Sequence, residues 1–150
     1  MIRKKIILVS LIFFLSNCGF TPIYINNTNV NFSIEKVNYT GDRDLNNFIK
    51  TNLDKYKNEK TDNKIIIEAN SSYNKIILSK NSAGKITNYQ LEAKVVFFIK
   101  SKNQRINFTE KKIMASVDDK FEEVNNERSI KQSFASSISS KLISKLIINR

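Results

Sequence analysis

Between residues 88 and 99 the chain alternates at a period of two. Tyr89, Leu91, Ala93, Val95, Phe97 and Ile99 fall on one side, and Asn88, Gln90, Glu92 and Lys94 on the other. Successive side chains of a strand point to opposite faces, so this run builds a sheet with one apolar and one polar face. The apolar face must be covered, and the chain carries two helical patterns to cover it. After the turn Thr40-Gly41-Asp42, Leu45, Phe48, Ile49, Leu53 and Tyr56 recur at three- and four-residue spacing, with Asp42 placed to cap the helix. A last helix is expected from about residue 125 to 148, where Ile130, Phe134, Ile138, Leu142 and Leu146 step by four. Asp118, Asp119, Glu122, Glu123 and Glu127 gather before or at its start, where the helix dipole favours negative charge. Ser133, Ser136, Ser137, Ser140 and Ser144 form its back, a pattern suited to close packing and equally to low complexity.

Three further strands complete the pattern. Val30, Phe32 and Ile34 alternate with Asn31, Ser33 and Glu35 in the first. In the second, Ile65, Ile67, Ala69, Tyr73 and Ile77 share a face, and residues 79–85, with Gly84, form the hairpin connection. The fourth begins with Ile106 and Phe108 on the even face and ends with Ile113, Ala115 and Val117 on the odd one. That change of parity predicts a bulge near Glu110. The expected fold is α+β, in the order β-α-β-β-β-α. It is a two-layer sandwich of a four-stranded, mainly antiparallel sheet with two helices on one face.

Composition removes most enzyme classes. Among the 150 residues there is no His, one Cys and three Gly. Without imidazole there is no Ser-His-Asp or Cys-His site, and one Cys makes neither a zinc cluster nor an internal disulfide. Asp42, Asp44 and Asn46 imitate the start of a calcium loop, but Asn47 stands where its Gly belongs and Leu53 where its bidentate Glu belongs. The acidic group at 118–123 reads as a helix start rather than as paired catalytic carboxylates. No enzyme, metal or cofactor is expected.

The N-terminus accounts for the lone Cys. Arg3, Lys4 and Lys5 precede an apolar run over residues 6–15, which has the length of a signal-peptide core and is too short to span a bilayer. Leu15-Ser16-Asn17-Cys18 then resembles a bacterial lipobox, with Asn17 where Gly or Ala is usual. The expected organisation is a signal peptide over residues 1–17, a lipidated Cys18 and tether over 18–29, and one α+β domain over 30–150. Gly19 rather than Asp after the Cys implies the outer membrane, lipid-anchored on the periplasmic side. Loss of Arg3, Lys4 and Lys5 with the signal segment lowers the net charge from +11 to +8, still a polyanion-seeking balance. In that compartment nucleic acid is not an expected partner, whereas the phosphates of lipopolysaccharide are. The same Lys content is also what an AT-rich genome would produce.

The run Cys18-Gly19-Phe20-Thr21-Pro22-Ile23-Tyr24 resembles the Cys-Gly-Phe-x-Pro-Leu-Tyr start of alphaproteobacterial members of the LPS-assembly lipoprotein family, LptE. Tyr89-x-Leu91-x-Ala93, the long last helix containing Arg128 and the element order are similar as well. The resemblance implies a non-catalytic lipoprotein that binds lipopolysaccharide. It would sit as a plug in an outer-membrane β-barrel of the LptD type and help to place the lipid in the outer leaflet. An auxiliary lipoprotein of a lipid-transport ABC system is the alternative. From their chemistry, Lys80 and Lys85 at the first hairpin and Lys94 on the polar strand face are the candidate lipopolysaccharide contacts, although lysines at hairpin ends are also ordinary solvated surface.

Overall fold

The computed structural model describes residues 30–57 and 61–148. The signal segment, Cys18 and the tether up to residue 29 lie outside the described residues, as does part of the charged loop at 58–63. The elements are β1 (Ser33–Gly41), α1 (Arg43–Leu53), β2 (Lys64–Lys80), β3 (Ile86–Ile99), β4 (Gln104–Ala115) and α2 (Lys120–Ile148). The sheet runs in the spatial order β1-β2-β3-β4. β1 pairs with β2 in parallel, and the other two pairings are antiparallel. Parallel neighbours need a crossover, which α1 supplies. The expected α+β sandwich is the fold observed.

Local chemistry starts each helix. Gly41 holds φ +94°, and a Cβ there would lie 1.8 Å from the Ser71 carbonyl oxygen, so only glycine lets β1 turn this close to β2. Asp42 then caps α1, its Oδ1 accepting from the Leu45 amide at 2.7 Å. Asp119 starts α2 in the same way, accepting from the amides of Phe121 and Glu122. The acidic cluster is therefore the first turn of α2, which begins five residues earlier than its apolar stripe indicates.

All six apolar residues of the β3 alternation are buried, against Leu45, Ile49 and Leu53 of α1 and Ile130, Phe134, Ile138, Leu142 and Leu146 of α2. Phe97 is fully enclosed and meets the Phe108 ring edge-on, 6.1 Å between centroids. Of the α2 serines Ser139 is buried, whereas those of the expected back lie away from this core. Ser133, Ser136, Ser140 and Ser144 are exposed, and Ser137 donates to Glu110.

The expected bulge in β4 is absent. Its register with β3 runs unbroken from Gln104 opposite Ile99 to Ala115 opposite Asn88. Ile106, Phe108, Glu110, Lys112 and Met114 face the helices throughout, and Ile113 lies on the other face, 60% exposed. An edge strand can seat polar residues toward the helix layer because their heads reach out of it. The Glu110 carboxylate takes hydrogen bonds from Ser137 at 2.9 Å and Lys141 at 2.5 Å.

Candidate functional site

Both helices cover one face of the sheet, and the β2–β3 hairpin runs past them. At its end Ile76, Ile77 and Leu78 follow one another, each close to half exposed. The ladder slips between Ile77 and Ser79, which breaks the strand alternation and turns apolar side chains to both faces. Across the sheet, Ile76 and Ile113 flank Gln90 on the open face, while Ile77, Tyr89 and Met114 form the corresponding row on the helix side. Phe121, 76% exposed, stands in the first turn of α2, whereas the exposed Val124 lines a cleft between α1 and α2 with Phe48.

Several contacts hold the start of α2 against this hairpin. The Lys75 ammonium bonds Glu123 and Glu127, each at 2.9 Å, and lies 4.2 Å from the Tyr89 ring centroid. Ser116 donates to Glu123, and Lys85 pairs with Asp118. The Lys75 hydrogen bond holds the buried Glu123 carboxyl below its ordinary range, against the opposing effect of burial. Burial works against the Lys75 charge, but the hydrogen bonds to Glu127 and Glu123 outweigh it and leave the ammonium above its usual value. Another cation, the buried Lys131, lies over the Tyr73 ring at 4.1 Å and within 3.7 Å of Asp42 and Asp44, tying α1 to α2 and β2.

The three candidate lysines are not one cluster. Lys80 ends β2 and makes no ion pair among the described residues, and Lys85 stands five residues on, just before β3. Lys94 lies opposite Ser72, well along the sheet, and is already committed. Its Nζ is 2.5 Å from Glu92, which Lys111 also holds at 2.9 Å, and these two bonds keep the Glu92 carboxyl below its usual range. Lys112 and Lys120 lie nearer the apolar end than Lys94 does. Sequence reading missed Lys112, Lys120, Ile113 and Phe121. The cue for the end as a whole was the run Ile76-Ile77-Leu78, which no two-residue period accommodates.

Position completes the geometry. β1 begins beside Lys64, the first residue of β2, so the chain enters the domain at the end opposite the hairpin. A strand of 17 residues separates the two ends by about 50 Å at ~3.3 Å per residue. Among the described residues there is no cluster of metal-ligating side chains, and no helix is long and apolar enough to cross a membrane.

No protein-family model matches the chain, and no curated protein does. Solved structures share its fold. Rare lipoprotein B from Shewanella oneidensis aligns over 74% of this chain and 92% of its own, at 10% identity and a TM-score of 0.54. A minor lipoprotein from Acinetobacter baumannii aligns over 77% and 94%, at 14% identity and a TM-score of 0.52. Lipoprotein B from Nitrosomonas europaea aligns over 79% and 86%, at 16% identity and a TM-score of 0.51. At such identities the likeness is one of fold.

Proposed function

We propose that this protein is an outer-membrane lipoprotein, anchored through Cys18 on the periplasmic side. In this reading it binds lipopolysaccharide and acts with a β-barrel of the LptD type to assemble that lipid in the outer leaflet. The observation that carries the reading is the uncovered end of the hairpin, where Ile76, Ile77, Leu78, Ile113 and Phe121 lie among Lys80, Lys85, Lys112 and Lys120. Apolar surface contributes about 25 cal/mol per Å² removed from water, and ammonium groups recognise phosphate, so the end suits an amphiphilic anion. A tether at the opposite end lets the protein stay anchored while this end reaches a lipid held away from the leaflet. The shared fold with bacterial lipoproteins supports the same reading.

The test is lipopolysaccharide binding by residues 19–150 and by a Lys80→Glu/Lys85→Glu variant at low and high salt. Binding falls in the variant, and the difference narrows as salt shortens the Debye length to less than about 8 Å. Lys94→Glu has the smaller effect, because that lysine lies opposite Ser72, well along the sheet from the hairpin end. Equal binding by all three proteins removes the hairpin from the reading. Pull-down of the tagged lipoprotein from outer membranes tests the barrel partner directly.

A further inference from the structure

Among the described residues nothing covers the face of the sheet away from the helices, and its cross-strand rows can be read from the pairing. Asn38, Glu68, Phe98 and Arg105 form one row, and Thr40, Asn70, Val96 and Asn107 the next. Between them lies an open depression of about 570 Å³, a volume suited to a small ligand. Phe98 and Val96 are half-buried and give it an apolar floor. No ring or cation stacks on Phe98 among the described residues. The one carboxylate of the lining, Glu68, is already paired with Lys100 at 2.8 Å. Arg105 is exposed at the rim and has no ion pair among the described residues, and the amide groups of Asn38 and Asn70 bond no protein group there.

We infer that this depression is a binding site for an anionic saccharide, with a sugar ring on Phe98 and its acidic group on Arg105. The backbone of the interior strands is already spent on the ladders, so the face cannot accept an added peptide strand. It offers side chains instead. A flat apolar ring accommodates the C–H face of a sugar, and the amides of Asn38 and Asn70 can both donate to and accept from hydroxyls. The Arg105 fork binds a carboxylate or phosphate through two parallel bonds. With Glu68 neutralised by Lys100, the site carries a net positive charge, which selects acidic over neutral sugars. This inference is independent of the hairpin reading, since it involves neither the apolar end nor an acyl chain.

The experiment is a backbone-amide NMR titration of the full chain in a non-glycosidic neutral detergent. The probes are trigalacturonate, glucose 6-phosphate, maltotriose and inorganic phosphate. Trigalacturonate or glucose 6-phosphate is expected to shift resonances at 38–40, 68–70, 96–98 and 105–107, and which of the two does so identifies carboxylate or phosphate as the acidic group. Maltotriose should bind more weakly. Arg105→Gln, a change at an exposed side chain, should weaken the acidic sugar roughly tenfold or more, while Lys80→Glu leaves it unchanged. Three results overturn the inference. One is the absence of shifts with either acidic sugar at millimolar concentration. The second is inorganic phosphate reproducing the same shifts and the same dependence on Arg105. The third is maltotriose binding as tightly as the acidic sugars, with no effect of Arg105→Gln. None of these outcomes bears on lipopolysaccharide binding by the hairpin.

Discussion

The Lys75 ammonium on β2 lies 2.9 Å from the carboxylate of Glu123, joining the middle of the sheet to the first turn of α2. The Glu123 side chain is only 6% exposed, and Lys75 with Ser116 supplies its hydrogen bonds. The pair ties the first turn of α2, which carries Phe121, to the strand that leads into the hairpin.

Acid should release this lock. The folded-state pKa of Glu123 is lowered, so its contribution to stability is fully present above the unfolded carboxylate value, near 4.5, and is lost as pH falls through the lower folded value. Urea midpoints at neutral pH and at about pH 3 check this. The native protein should lose more stability between the two conditions than Glu123→Gln does, and identical losses would show that the pair contributes nothing to the pH dependence.

Phe97→Ala should cost roughly 3 to 5 kcal/mol, as for other enclosed aromatic side chains. Phe97 is fully enclosed and touches Phe108 across the β3–β4 ladder, so no solvent can fill the space it leaves. Chemical denaturation of the soluble domain measures the difference, and an unchanged midpoint contradicts the packing described.

The two described glycines should respond very differently to alanine. At Gly41 the new Cβ meets the Ser71 carbonyl oxygen while φ stays at +94°, so a loss of about 3 kcal/mol or more is expected. At Gly84 φ is +79° but the space is open, so about 1 kcal/mol is expected. Comparable losses at both sites would mean that the close approach of β1 to β2 is not a constraint.

Asp42→Ala removes the oxygen that accepts from Leu45 and a carboxylate beside Lys131. About 1 kcal/mol is expected from the cap alone, and thermal unfolding would show it. Asp42→Asn keeps the acceptor and should recover most of that loss.

Cys18→Ser should yield a protein without lipid. Mass spectrometry of the mature N-terminus is the check, and an unmodified Cys18 in the native protein, or cleavage elsewhere, removes the anchor from the reading.

The alternation at 89–99 and the four-residue stripe from Ile130 to Leu146 were enough to place strand, helix and core, because burial on one face writes a period directly into a sequence. Gly41 and Asp42 likewise announced the turn into α1, since both act within a few residues of themselves. Fold class and element order were legible for that reason. β4 was not read correctly, because its periodicity includes an exposed Ile113 and a helix-facing Glu110, and Glu110 is explained only by Ser137 and Lys141 on α2. The candidate sites depend still more on distance. That Lys80 and Lys85 share an end with Phe121 while Lys94 does not, and that Arg105 stands beside Phe98 on an uncovered face, follow from strand register and helix placement. Residue types and their local periods are properties of the chain alone. Which side chains from distant segments meet, and which face is left open, is decided only when the layers pack.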